Sequence, residues 1–469
     1  MPIRIYNTLT KTKEELVPLD PLKKTVKMYS CGVTVYDQCH IGHARSLYAF
    51  DVMRRYLKYR GFNVQFVRNI TDIDDKIITK AQETHQDWKG VVAENIASYN
   101  QDLKSLGIDM ADVEPKATEN IADMAKDIEG LLSKGYAYEI NGDIYFSVRK
   151  FPQYGKLSGQ TIDKMYEAVR IEKDSRKKDP LDFALWKKSE EGEPSWPYWG
   201  GGRPGWHIEC SCMSLKYLRC ETLDIHAGGR DLIFPHHENE IAQSEALKDK
   251  PFARTWIHHG LLTINGQKMS KSAGNFIAVA DCLKKYSADE LKLFFLFSHY
   301  ASGVDFTDKK MEEAAKALQR FDVLFWKAYE LLKQKRSIQA QEADFVQQGQ
   351  ARFLEAMDDD FNTPQALACL FDLISQTHKF MEERPSDKEY HGTLYAAVDT
   401  IETISREVFG LFLKEKGVDL TSEEKHLLEE RKKARLKKDF KRSDEIRELL
   451  RQKGIALEDA PQGQTWRRL

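Results

Sequence analysis

Nothing in the 469 residues approaches the roughly 20 continuous apolar residues that cross a bilayer. The opening MPIRIYNTLTKTKEE has no apolar core of the kind a signal peptide carries. Membrane anchoring and secretion by signal peptide are therefore not expected, and a cytoplasmic location is. Cysteine is scarce. Seven in so long a chain, an odd number, make no disulfide scaffold and leave reduced thiols or metal ligands. Charge of one sign is not in excess either: 71 Lys+Arg face 73 Asp+Glu, a net charge of -2. That balance does not advertise a nucleic-acid binder, although a whole-chain average can hide a basic patch in one domain. What is present is 41% hydrophobic and 11% aromatic residues, which argues against wholesale disorder. The length suits about three domains, each able to bury its own core.

Local patterns divide the chain. TVKMYS (25 to 30) reads as a β run, followed by a helix from about Gly42 to Arg60. Leu47, Phe50, Met53, Tyr56 and Leu57 recur there at helical spacing, and Gly61 is a suitable stop. FNVQFV (62 to 67) alternates as a strand does. Strand, helix, strand is a βαβ unit; such units build parallel sheets, with ligands at the carboxyl ends of the strands. Residues 79 to 139 turn helical and polar, and 142 to 199 read as an irregular insertion. Strand signals return at TLDIHAGG (222 to 229) and TWIHHGLLTING (255 to 266). From Asp305 to about Lys414 the pattern is helical, interrupted at Asn362-Thr363-Pro364. Near the end, Thr421 and Glu424 form a capping-box pattern before a basic helix, and Ser443 starts a second helix that Gly454 stops. IALEDA and TWRRL then flank a PQGQ turn.

Three constellations carry chemistry. His40-Ile41-Gly42-His43 opens a helix after a strand, where unpaired N–H groups and the dipole favour a phosphate. Two surface histidines at a helix cap would look the same. Lys268-Met269-Ser270-Lys271-Ser272 lies on a glycine-flanked loop, and its lysines suit a polyphosphate, although a charged loop is usually solvated surface. The third set is Cys31, Cys210, His236 and Glu240. If the segment after Pro235 is helical, His236 and Glu240 share a face, as two metal ligands must. Cys, Cys, His and carboxylate make a plausible zinc set, yet the ligands are scattered and lack CxxC pairing. Buried cysteines are often just small apolar residues.

The HIGH and KMSKS sequences in this order resemble the two hallmarks of class I aminoacyl-tRNA synthetases, and no convincing P-loop or GxGxxG pattern competes with them. MYSCGVTVYD, GRPGWHIEC, DIHAGG and FPHHENE closely resemble the cysteinyl-tRNA synthetase family, from near residue 20 to the C-terminus. The resemblance implies an α/β fold: a Rossmann-type, doubly wound parallel-sheet catalytic domain (1–305) with a connective insertion at approximately 115–200. It also implies a helical bundle (306–415) and a small anticodon-binding domain (420–469). It implies one zinc per chain held by Cys31, Cys210, His236 and Glu240, with the CxC arrangement leaving Cys210 and Cys212 in competition for one place. Thr71, Trp206 and His226 match positions lining the amino-acid pocket, and Asp231 matches an ATP-ribose contact. The implied partners are L-cysteine, tRNA-Cys, and ATP with magnesium, and the expected state is a monomer.

The implied reaction has two steps. The cysteine carboxylate attacks the α-phosphorus of ATP, releasing pyrophosphate, and a ribose hydroxyl at the tRNA 3′ end then takes the acyl group. His40 and His43 would donate to the phosphates while Lys268 and Lys271 clamp the pyrophosphate side. Cysteine and serine are nearly isosteric, so an ordinary pocket separates them poorly, whereas a metal distinguishes thiol from hydroxyl. RKKARLKKDFKR (431 to 442), with eight basic residues and one acidic, and Trp466-Arg467-Arg468 suit single-stranded RNA, though a charge run is usually a solvated helix face. Two competitors are weaker: a cysteine:aminosugar ligase, whose kind lacks an anticodon-reading end, so the basic tail argues for tRNA, and a zinc-stabilised RNA-binding protein without enzymatic activity, against which the intact lysines and histidines of both motifs argue.

Overall fold

The computed structural model describes residues 2–168, 177–269, 274–332, 338–341, 343–383, 390–411, 421–437, 439–453, 455–460 and 463–468. The first βαβ unit forms where the sequence places it. Strand Thr25–Thr34 buries Val26 and Met28, helix Ile41–Tyr59 follows, and Gly61, at φ 85°, turns the chain into strand Asn63–Thr71. That second strand runs past the expected 67. From Phe66 onward every residue is buried, so the alternation that marks a half-exposed strand vanishes while the strand continues. The extension carries Asn69 and Thr71 into the interior.

Two further strands, Leu223–Gly229 and Ala253–His259, complete a four-stranded sheet. All its pairings are parallel, and its order is 253–259, 223–229, 25–34, 63–71. The chain thus leaves the strand at 25–34 on one side and returns on the other. The switch point, where crevices open at the carboxyl ends of parallel strands, falls between Thr25–Thr34 and Leu223–Gly229. Both faces are covered, as a parallel sheet requires. One apolar cluster runs from Val26 and Met28 through Tyr56 into the helical bundle at Phe321 and Leu370. The other joins Tyr29 and Val67 to Ile128, Phe146, Trp186 and Trp256. At about 1.5 to 3 kcal/mol per buried large side chain, these clusters dominate the stabilisation.

The stretch that reads as irregular, 142 to 199, is instead largely ordered around an antiparallel sheet. Ala137–Ile140, Asp143–Phe146, Phe183–Lys188 and Gly202–Pro204 pair in chain order. Asp143–Phe146 is buried throughout, so it shows no alternation to read. Beyond Asp305 helices Asp308–Leu332, Asp344–Asp358, Thr363–Glu383 and Tyr390–Thr403 form the bundle. The break before Thr363 is made by Asp360 and Phe361, both at positive φ. In the C-terminal unit the Thr421/Glu424 capping box is present at the head of Ser422–Leu436. The next helix spans Phe440–Gln452 and is capped by Asp439, whose side chain accepts from the Arg442 amide; Ser443 is buried inside it and does not start it. Gly454 and the 461–462 turn lie outside the described residues, and strands Ile455–Ala460 and Gly463–Arg468 pair antiparallel. No helix among the described residues is long and apolar enough to cross a membrane.

Candidate active site

Four residues distant in sequence converge at the switch point. Cys31 comes from the carboxyl half of the central strand, Cys210 from helix Trp206–Leu218, and His236 and Glu240 from the turn into helix Glu238–Lys248. One ligand atom from each lies within 4.8 Å of the others. The sulfurs of Cys31 and Cys210 are 3.8 Å apart, Cys31 Sγ is 3.6 Å from Glu240 Oε1, and His236 Nε2 is 2.9 Å from that same oxygen. A disulfide needs S–S near ~2.05 Å, whereas two Zn–S bonds of about 2.3 Å at a tetrahedral angle span about 3.8 Å. Cys212, two residues along the helix from Cys210, engages Asp127 instead, so the helix brings Cys210 and not Cys212 into the cluster.

The electrostatics fit a cation. Burial drives the Glu240 carboxyl upward, but His226 and His236 outweigh it and hold Glu240 well below the ordinary carboxylate range. Burial likewise raises the thiols; Cys31 stays far above its usual value, while hydrogen bonding from Cys31 and His236 brings Cys210 down to about 6. A buried carboxylate and thiolate side by side are the donor set a divalent soft-to-borderline ion satisfies.

Around this core lies a shell that sequence reasoning only partly finds. His226 Nε2 is 2.7 Å from Glu240 Oε2. Trp206, 39% exposed, stacks on His236 with centroids 4.2 Å apart, and His207 Nδ1 meets His236 Nδ1 at 2.8 Å. Thr71 is buried, and its hydroxyl donates to Glu209 at 2.8 Å. Asn69 accepts from Tyr29 and from the Gly32 amide, fixing the loop next to Cys31; a Cβ at Gly32 would sit 1.6 Å from the Asn69 carbonyl oxygen. Sequence reasoning misses His237. Its Nε2 is 3.2 Å from Cys31 Sγ, and Cys31, His226, His237 and Glu240 form a second, overlapping ligand group. The available signal is its place beside His236 in FPHHENE, but only the turn at 233–237 shows that both rings enter the pocket. A cleft of about 300 Å³ lined by Trp206, His207, Lys187, Arg203 and Asp75 opens beside the cluster.

The histidine pair stands at the start of helix Ile41–Tyr59. His40 is the N-cap and accepts from the His43 amide, His43 accepts from the His40 amide, and the rings stack at 3.7 Å. Each Nδ1 is thereby an acceptor, which places the proton of the neutral ring on Nε2. Burial lowers His40 to about 4 and His43 to about 3, so both are neutral donors at pH 7. Gly42 is required by close approach: a Cβ there would lie 2.9 Å from the His40 ring and 3.3 Å from Met269 Cε. The two motifs therefore touch. Lys268 is exposed on the short strand Gln267–Lys268, Asp231 is exposed just past strand Leu223–Gly229, and Lys271 lies outside the described residues. A larger cavity, about 1320 Å³, is at the amino ends of the strands around Thr25, Leu218 and Arg254 and contains none of these residues.

Comparison with known proteins matches this architecture. Residues 18–316 match the family described as tRNA synthetases class I (C) catalytic domain, 352–414 the DALR domain, and 418–467 the cysteinyl-tRNA ligase anticodon binding domain. The cysteine-tRNA ligase of Persephonella marina is 48% identical over 490 residues, covering 100% of both chains. That of Aquifex aeolicus is 44% identical, covering 100% of this chain and 99% of its own. Among solved structures, Mycobacterium tuberculosis methionyl-tRNA synthetase in complex with methionyl-adenylate superposes with a TM-score of 0.65 at 15% identity, covering 82% of this chain and 92% of that one, a likeness of fold. With relatives this similar along its whole length, and an anticodon-binding domain where the competing sugar ligase has none, the chain belongs to the cysteine-tRNA ligase family of class I aminoacyl-tRNA synthetases.

Proposed function

We propose that this ligase selects L-cysteine through one zinc ion held by Cys31, Cys210, His236 and Glu240, and charges tRNA-Cys as a monomer in the cytoplasm, with ATP and magnesium as co-substrates. The observation that carries the reading is the convergence of those four donors, buried or half-buried, at the switch point of the sheet whose next helix presents His40 and His43. Held by Cys31, Cys210, His236 and Glu240, a zinc ion would supply a preference for a thiolate over the serine hydroxyl. The chain's own residues do the rest. Thr71, Trp206 and His226 shape the amino-acid pocket, and His226 also holds Glu240 through its Nε2 proton.

The attacking carboxylate is already ionised, so no general base is required. His40 and His43 donate from Nε2 to phosphate oxygens as neutral rings, Lys268 and Lys271 neutralise the departing pyrophosphate, and Asp231 takes the ribose hydroxyls. Exposed Lys432, Lys433, Arg435, Lys437 and Lys441, spread across the two C-terminal helices, provide the phosphate contacts for the anticodon end. Arg431, in contrast, is 1% exposed and belongs to the core of that unit.

The test is ATP–pyrophosphate exchange with cysteine or serine, followed by charging of tRNA-Cys, before and after chelation. Exchange strongly selective for cysteine and lost with one zinc per chain is expected. Equal exchange with the metal removed would sink the selection mechanism.

A further inference from the structure

Arg45 is an anomaly on the inner face of helix Ile41–Tyr59. It is 3% exposed, and its described partners are all backbone carbonyls. Nη1 donates to Gly260 at 2.5 Å and to Leu261 at 3.1 Å; Nη2 donates to Tyr300 at 3.3 Å and to Ser302. A planar fork with five donors can serve four converging carbonyls; a lysine ammonium has three donors on a point charge.

The place of those carbonyls gives the contact its meaning. Gly260 and Leu261 lead directly into strand Leu262–Ile264, which turns at Asn265-Gly266 into Gln267–Lys268. Tyr300 and Ser302 lead into Val304–Phe306, which pairs with Leu262–Ile264 in parallel. The two segments cross so closely that a Cβ at Gly260 would meet the Ser302 oxygen at 2.2 Å. Arg45 sits on that crossing. Further along the chain, residues 277–279 are tied to the start of the same helix: the Ile41 amide donates to Ile277, and the Val279 amide donates to Cys39. The lysine-bearing hairpin is thus anchored at its Gly260–Leu261 end, through Arg45, to the helix whose first turn carries His40 and His43.

We propose that Arg45 is a positioning residue for adenylation, holding Lys268 in register with the His40/His43 pair so that both address one triphosphate. This rests on the roles given above to Lys268 and the histidines. A misplacement of about 1 Å at a reacting centre costs about 10²-fold in rate, which is the scale expected here.

The decisive variant is Arg45→Lys, which keeps the charge and loses the fork; Arg45→Met would orphan four carbonyls and risks the fold. In the zinc-loaded full chain, Arg45→Lys should lower kcat for cysteine-dependent pyrophosphate exchange by about 10²-fold. The KM for cysteine should stay within about twofold and zinc content should be unchanged. Amide hydrogen exchange should quicken in residues 261–268 and 300–306. A double-mutant cycle with Lys268→Ala should be strongly non-additive, because a hairpin out of register has little left to lose. Additive effects would show that Arg45 is structural only, and amide exchange unaltered at the hairpin would show that Arg45 does not hold it. A Lys268→Ala protein at the wild-type rate would overturn the reading of the hairpin itself and this inference with it. A slow Lys268→Ala protein beside a fast Arg45→Lys protein would overturn the inference alone.

Discussion

The proposed thiol pocket and the proposed phosphate site share the carboxyl edge of one sheet but are built in different ways. In the pocket, Cys210, His236 and Glu240 are each at or below 1% exposure, on helices packed to the sheet, and Asn69, His207 and His226 hold the donors or their neighbours in place. At the phosphate site the histidines are half-buried at a helix cap and Lys268 is exposed on a two-residue strand. On the proposed reading the pocket recognises one small thiol and gains from rigidity. On the proposed reading the phosphate site admits ATP and releases pyrophosphate, and Lys268 sits on a hairpin held at its Gly260–Leu261 end by Arg45. The comparison implies that damage to the pocket abolishes a ligand, whereas damage to the phosphate site slows a step.

Cys210→Ser tests that contrast with the largest expected effect. Zinc should fall well below one per chain by elemental analysis, and cysteine-dependent exchange should drop to background while ATP binding stays near normal. Full zinc content in this variant would remove Cys210 from the ligand set and turn attention to the overlapping group containing His226 and His237. Lys271→Ala should do the opposite: zinc and cysteine affinity intact, with the adenylation barrier raised by about 2.7 to 4 kcal/mol, the range for loss of one donor to developing charge. A near-normal exchange rate would refute the assignment of Lys271.

How much is legible in the sequence differs between the two sites. HIGH is a contiguous motif, and its helix, cap and glycine stop all follow from local pattern; the structure adds only that the rings cap each other's amides. The proposed zinc set is reachable by resemblance, because its members come from three separated segments whose meeting depends on sheet order. Asn69 and Arg45 escape a reading of the sequence, and His207 and His237 appear in it only as members of longer motifs, with no role of their own. Asn69, His237 and Arg45 are buried polar residues and His207 a half-buried one, so hydrophobic periodicity passes over them, and their roles exist only through partners tens to hundreds of residues away. The antiparallel sheet around 142 to 199 is hidden for the complementary reason that a strand buried on both faces, such as Asp143–Phe146, does not alternate.

The smallest effect is one of pH, and it separates the sites by stability instead of rate. His43 is held at about 3 by burial, with His40, His259 and Lys76 adding repulsion, whereas an unfolded histidine titrates near ~6.5. Above about pH 6.5 the ring is neutral in both states and contributes no pH dependence. As pH falls below that value the unfolded chain binds a proton that the folded one refuses, so stability declines by at most about 1.4 kcal/mol per pH unit for each such ring until the folded value is reached. His40, at about 4 and also lowered chiefly by burial, acts in the same direction over a shorter window. His43→Asn, whose amide oxygen can still accept from the His40 amide, deletes one of these titrations without touching the thiol pocket. Urea midpoints of the wild-type and variant proteins at pH 7, 6 and 5, with zinc present throughout, should therefore converge or cross as pH falls, the variant losing less. Parallel profiles would mean that His43 is protonated in the folded protein at mildly acidic pH, and the case for neutral imidazole donors at the phosphate site would fall with it.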